Sequence, residues 1–171
     1  MVATKWFSTR TWLWRFLIYP ALPFALFVFS ARWASAAFAC LSSFLLVEIF
    51  DSFSLLGGRL FGKRPLVPKL SPKKTWEGLL VGFLAVAISA ISLAAILKID
   101  QSTMALLAIV ITAGALAGDL LASAAKRRAG VKDYPAVLPI QGGLLDIMDA
   151  WIVAAPLAVL VFAVMQHPNP A

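Results

Sequence analysis

The chain has 171 residues, of which 61% are apolar and only 13% charged, and its mean hydropathy of +0.89 excludes an ordinary soluble domain. A formal net charge of +7 would suit a nucleic-acid partner, but the cations gather in short stretches between long apolar runs, which argues for membrane topology and against nucleic acid. Cys40 is the single cysteine, so an intramolecular disulfide and a thiolate metal cluster are both excluded.

Runs of about 18 mostly uncharged residues predict five transmembrane helices, over 12–29, 33–49, 79–97, 102–125 and 144–165. The expected fold is all-α: a single polytopic membrane domain over 1–171 with a polar cavity facing the cytoplasm. Trp12, Trp33, Trp76 and Trp151 fall near segment ends, as in interfacial aromatic belts. Pro20 and Pro23 would kink the first span. A signal peptide over 1–36 is the rival reading of that start, from its basic residues, short apolar run and Ala-Ser-Ala at 34–36; the immediate onset of the second segment favours a helical hairpin. After the second span comes a polar stretch rich in Gly and Pro, GGRLFGKRPLVPKLSPKKTWEG at 57–78, long enough to fold over a substrate. Within it Ser71 reads as an N-cap and Pro72 as the first turn of a helix. Lys73 and Lys74 would then sit at a positive helix end suited to an anion. The tail QHPNPA reads as a disordered end, with His167 solvated.

Of the 15 Lys and Arg, only Arg32 and Lys98 fall on one side of this arrangement. Lys5, Arg10, Arg15, Arg59, Lys63, Arg64, Lys69, Lys73, Lys74, Lys126, Arg127, Arg128 and Lys132 fall on the other. By the positive-inside rule the N-terminus is expected in the cytoplasm and the C-terminus outside, with the basic loops on the cytoplasmic face of the inner membrane.

Acids inside apolar spans need a reason, because a carboxylate at mid-span costs roughly 2.5 to 3.5 kcal/mol on insertion scales. Asp119 lies about 10 Å before Lys126 at the helical rise. Asp146 and Asp149 follow Gly142 and Gly143 by one to two turns, where the antiparallel fifth span opens. Their i, i+3 spacing puts Asp146 and Asp149 on one helix face. All three carboxylates come to a similar depth, with Glu48 and Asp51 ending the second span on the same side. The residues alone leave two readings. Either the acids pair with Lys126, Arg127 and Arg128, or they hold a divalent cation: hard oxygen ligands suit Mg²⁺, which takes one or two carboxylates and leaves positions for substrate phosphates. The basic residues beside them can neutralise phosphate or pyrophosphate. Anionic lipid headgroups are their other natural partner.

SPKKTWEG at 71–78, Gly118-Asp119, and the run from SAAKRRAGVKD to GGLLDIMD within 123–149 resemble the phosphatidate cytidylyltransferase (CDP-diacylglycerol synthase) family, membrane enzymes that join CTP to a lipid phosphate. DSFSLLGGRLFGKR at 51–64 is similar to the family's segment before its Ser-Pro-Lys motif, so the resemblance covers about 51–149. Two positions depart from the pattern. Gln141 stands where the family has His before Gly-Gly, and Ile147 where it commonly has Arg in Asp-Arg-x-Asp. In length the chain is closer to the related CDP-archaeol synthases than to typical bacterial members.

The resemblance implies a transferase that converts CTP and phosphatidate to CDP-diacylglycerol and pyrophosphate in phospholipid biosynthesis, with Mg²⁺ and a monovalent cation such as K⁺ at the acidic cluster. It implies Asp119, Asp146 and Asp149 as catalytic and metal-site acids, with Lys126 beside them. Lys73, Lys74, Lys126, Arg127, Arg128 and Lys132 would bind the CTP phosphates or the lipid phosphate, Ser71 and Thr75 would contact the nucleotide, and Asp51 would stand on the substrate side as a further acid for the metal site. Asp133, in the VKDYP turn, reads as a loop residue or as one that supports the site from behind its direct ligands. A phosphate monoester is already an anionic nucleophile, so alignment and charge neutralisation suffice. Three other readings stand beside this one: transfer to an isoprenoid ether lipid phosphate, an ion or proton transporter built on intramembrane acids, and an inactive paralogue marked by Gln141 and Ile147. The partners expected are CTP, a lipid phosphate and membrane lipids, and a homodimer is compatible with five short spans around a polar cavity.

Overall fold

A computed structural model of the protein describes residues 21–30, 32, 36–68, 70–133 and 144–166. Most of the expected first span (12–20), Gln141 with its two glycines, and His167 lie outside the described residues. The elements in chain order are α1 (Leu22–Ser30), α2 (Ala36–Phe61), β1 (Pro65–Val67), β2 (Ser71–Thr75), α3 (Trp76–Leu97), α4 (Gln101–Ala129), α5 (Leu144–Met148) and α6 (Trp151–Gln166). Among the described residues, α2, α3, α4 and the run Asp146–Met165 are long and apolar enough to cross a membrane. Leu41, Leu80, Ile88, Ile96 and Val164 point outward from them, as they must where the solvent is hydrocarbon. The chain is an all-α integral membrane protein.

The second span does not stop at residue 49. α2 runs on to Phe61, because Glu48 and Asp51 interrupt the apolar run without breaking the helix and the next proline is Pro65. Gly57 and Gly58, which resemble a loop signal, lower helix propensity but serve packing instead. A Cβ on Gly57 would lie 2.6 Å from the Val81 Cβ. On the facing helix, one on Gly82 would lie 2.8 Å from the Phe50 carbonyl oxygen, and one on Gly78 would meet the Ser54 carbonyl. Gly78 and Gly82 are a Gly-x-x-x-Gly pair, the spacing that lets two helix backbones touch where no hydrophobic force drives them together. Gly114 and Gly118 repeat the device between α4 and α6, meeting Ala154 and the Asp149–Ala150 turn. The bundle therefore consists of two close helix pairs, α2 with α3 and α4 with α6. Leu46, Phe50, Val86, Met104, Leu107, Ile111 and Val159 fill the space between them.

The start of α3 also differs from the sequence expectation. Ser71 and Pro72 lie in β2, which pairs antiparallel with β1 (Pro65 opposite Thr75, Val67 opposite Ser71, with a bulge between). Pro72 fits a two-stranded edge, where a missing N–H is tolerated. Thr75 is the N-cap, with extended backbone (φ −124°, ψ 155°), and its Oγ1 accepts the Gly78 N–H at 3.1 Å. Replacing Thr75 by Ala should therefore cost about 1 kcal/mol. Thermal unfolding in detergent should show the loss, and Thr75→Ser should recover most of it.

A tight turn joins α3 to α4. Lys98 takes the left-handed conformation (φ 55°), and Asp100 caps α4 by accepting the Thr103 N–H at 2.9 Å. The Ser102 hydroxyl and that amide hold the Asp100 carboxyl below the usual carboxylate range. At the other end, Gly130 (φ 73°) closes α4, and the Val131 N–H bonds the Lys126 carbonyl at 3.0 Å.

The fifth span is not one unbroken helix. α5 stops at Met148, and Asp149 and Ala150 form a turn before α6. The Asp149 Oδ1 accepts the Ala150 N–H at 2.8 Å, a local bond that competes with helix continuation. Trp151 then fixes the turn to α2: its indole N–H donates to Ser43 Oγ at 3.1 Å, and its ring meets Phe27 edge-on at 5.1 Å. The expected belt residue is thus an internal anchor.

Candidate active site

Where the two helix pairs meet the hairpin, a cavity of about 450 Å³ opens. α2 supplies Asp51 and, one turn on, Ser54; β2 supplies Ser71, Lys73, Lys74 and Thr75. α4 contributes Asp119 and Lys126, seven residues apart and so on one face. Asp146 comes from α5 and Asp149 from the turn that follows it. Asp133, past the end of α4, completes the charged lining.

Lys126 is the hub. Its Nζ lies 2.7 Å from Asp146 Oδ1 and 3.9 Å from Asp149 Oδ2, with side chains only 12–14% exposed. Lys74 pairs with Asp119 Oδ2 across the cavity. Burial pulls the Lys74 ammonium below the ordinary lysine pKa, while the charges of Asp51 and Asp149 work against that shift. Asp119 Oδ2 is buried and accepts no aligned hydrogen bond among the described residues, where its ion-pair partner is Lys74. Ser54 Oγ is likewise buried and without a hydrogen bond among the described residues.

The hairpin that carries the lysines is tied down at its base. The Glu77 Oε2 accepts the N–H groups of Lys63 and Arg64 at 3.1 and 3.2 Å, and the Trp76 N–H donates to the Arg64 carbonyl at 3.0 Å. On the opposite wall, Gly118 lets the Asp149–Ala150 turn lie against α4, because a Cβ there would meet the Asp149 carbonyl. The hairpin lysines and the Asp149 turn are therefore each held by a backbone contact close by.

Asp51, Ser71, Lys73, Lys74, Thr75, Asp119, Lys126, Asp146 and Asp149 thus come together. Arg127, Arg128 and Lys132 do not line the cavity, and all are exposed. The helical step of about 100° per residue turns positions 127 and 128 away from the face that Lys126 shares with Asp119. Arg127 instead bonds the Val131 carbonyl at 3.2 Å. Sequence reasoning overlooked Ser54, which was legible from its i, i+3 relation to Asp51, and set Asp133 aside from the direct site although it closes the SAAKRRAGVKD run.

Among the described residues no three acids, histidines or cysteines stand close enough to form a ready-made metal cage. Lysines stand between the acids. The cavity nevertheless suits a hard cation shared with a substrate. Five carboxylates line it against three ammonium groups, which leaves two negative charges when all are ionised. Mg²⁺ commonly takes only one or two carboxylates and completes its shell with water and phosphate oxygens.

The fold and site define an all-helical membrane protein with a mixed acid and lysine cavity at the basic end of its bundle. The chain belongs to the cytidylyltransferase family, whose profile matches residues 1–165. It is 39% identical over 130 residues to phosphatidate cytidylyltransferase 5, chloroplastic, of Arabidopsis thaliana, covering 75% of this chain and 32% of that protein. It is 31% identical over 149 residues to the phosphatidate cytidylyltransferase of Rickettsia typhi (82% and 65%), and 34% identical over 125 residues to that of Thermotoga maritima (69% and 46%). The chain thus spans between about a third and about two thirds of the length of these relatives.

Proposed function

We propose that the chain is a membrane cytidylyltransferase that converts CTP and phosphatidate to CDP-diacylglycerol and pyrophosphate. The observation that carries this reading is the cavity itself, where lysines and carboxylates from separate elements converge at one end of an apolar bundle. In the reaction the lipid phosphate oxygen forms a bond to the α-phosphorus of CTP as the bond from that phosphorus to the β-phosphate bridging oxygen breaks. No protein nucleophile is needed. Lys73, Lys74 and Lys126 neutralise the triphosphate and the departing pyrophosphate, and the rigid hairpin and the Asp149 turn keep donor and acceptor aligned.

Asp119, Asp146 and Asp149 would hold Mg²⁺, and the excess of carboxylates over lysines supports this, because a triphosphate entering a net negative cavity needs an added cation. When bound, Mg²⁺ supplies charge neutralisation on the phosphates, and K⁺ would suit the same hard oxygens. The site faces the cytoplasm, where the basic loops belong by the positive-inside rule.

The test is purified protein in detergent with labelled CTP, offered phosphatidate or an isoprenoid ether lipid phosphate, with Mg²⁺ or with chelator. CDP-diacylglycerol should form with Mg²⁺ and fail without it. Product only from the ether lipid would reassign the substrate, and none from either would remove the enzyme reading. In the same assay Lys73→Gln should raise KM for CTP or lower kcat/KM with little change in expression, and Lys74→Gln should do the same while also lowering stability, because it removes the charge opposite Asp119. Unchanged kinetics would assign these lysines to the lipid surface.

A further inference from the structure

Beside the charged cavity, the outer face of α3 and α4 carries a second hollow of about 570 Å³. Trp76, Leu80 and Phe83 form one side; Ile109, Thr112 and Ala113 form the other. Its two polar residues are already engaged. Thr112 Oγ1 donates to the Ala108 carbonyl at 2.7 Å, and Glu77 Oε2 holds the Lys63 and Arg64 amides. Trp76, Leu80 and Ile109 are each more than half exposed, so the groove opens away from the bundle core, toward lipid. From Trp76 to Phe83 it follows about 10 Å of helix.

Leu79 and Leu116 belong to both hollows. The wall between a lipid-facing apolar groove and a polyanion-binding cavity is thus two leucine side chains. A ligand that fits both at once has a phosphate on one side of that wall and a hydrocarbon chain on the other.

We propose that this groove seats one acyl chain of the lipid phosphate, with the headgroup reaching past Leu79 and Leu116 into the charged cavity. This rests on the cytidylyltransferase reading and goes beyond it by assigning where the tail lies. The groove acts through position rather than affinity. Hydrocarbon moving from bilayer to groove gains little, since lipid tails are as apolar as leucine, but a chain fixed between Phe83 and Ala113 sets the lateral place of its phosphate relative to the lysines.

Two measurements test this. In mixed micelles, Ala113→Trp fills the groove, and the ratio of kcat/KM for a long-chain phosphatidate to that for a short-chain one should fall about tenfold or more, the scale of a small misplacement of reacting groups. Ile88→Trp, on the outward face of the same α3 but outside the groove, should leave that ratio unchanged. An unchanged ratio in Ala113→Trp would overturn the assignment, even with wild-type turnover intact. The second readout needs no turnover: a phosphatidate with a photoreactive acyl chain should label Phe83 and Ile109 in preference to a choline lipid carrying the same chain. Equal labelling by the two would give the groove to bulk bilayer lipid, and cross-links between copies in place of lipid labelling would give it to a second chain. Either result overturns the proposal. If labelling is selective and no CDP-lipid forms, the seat stands and the enzyme reading fails by itself.

Discussion

Lys126→Met is expected to abolish turnover and to lower stability, because it removes the ammonium shared by two mostly buried carboxylates. Lys126 sits at 2.7 Å from Asp146 and 3.9 Å from Asp149, so its removal leaves two mostly buried carboxylates facing each other. Asp146→Asn should be milder in stability, since Asp149 still opposes Lys126, yet still lose about two to three orders of magnitude in kcat/KM if the acid holds the cation that neutralises phosphate charge. Mg²⁺ separates the two roles. If these acids hold the ion, Mg²⁺ should raise the melting temperature of Lys126→Met by binding linkage and do less for Asp146→Asn. Thermal unfolding with and without Mg²⁺ measures this, and identical Mg²⁺ effects in wild type and Asp146→Asn would take Asp146 out of the metal site.

Gly118→Ala should damage both the fold and the site. The new Cβ would meet the Asp149 carbonyl and lie 3.1 Å from the Ala150 Cα. These are backbone atoms of a turn already fixed by Trp151, so they have little room to yield. Overpacking of this kind costs about 1–3 kcal/mol. The larger effect falls on catalysis, because Asp149 and the adjacent Asp119 shift together, and a displacement near 1 Å costs about a hundredfold in rate. Gly114→Ala is the control. Its Cβ would lie 3.0 Å from the Ala154 Cα, one turn farther from the acids, so it should lose some stability and much less activity. Parallel losses of activity in the two variants would mean that Gly118 supports only the fold.

Most of the charged cavity could be read from residue order. An acid in an apolar run is conspicuous, and antiparallel neighbours bring Asp119, Asp146 and Asp149 to one depth. Helical period alone would also have separated Lys126 from Arg127 and Arg128, had it been applied to that run. The misread boundaries share a cause: local signals were overridden by a partner distant in sequence. Gly57-Gly58 reads as a loop until Val81 is placed against it. Ser71-Pro72 reads as a helix start until Val67 pairs with Ser71 and hands the cap to Thr75. The break at Asp149 has the opposite origin, in one side chain bonding the next amide, and hydropathy averaged over a window of about 18 residues cannot register it.

The Lys74–Asp119 pair joins the half of the molecule built from α2, the hairpin and α3 to the half built from α4, α5 and α6. Lys126, Asp146 and Asp149, by contrast, all belong to the second half. Until the halves dock, Asp119 lacks the Lys74 charge beside it, while Lys74 has Asp51 as its nearby acid. A carboxylate in an apolar helix is costly without a partner. The same contact that completes the cavity therefore ties the correct docking of the two halves to the neutralisation of a membrane-buried charge.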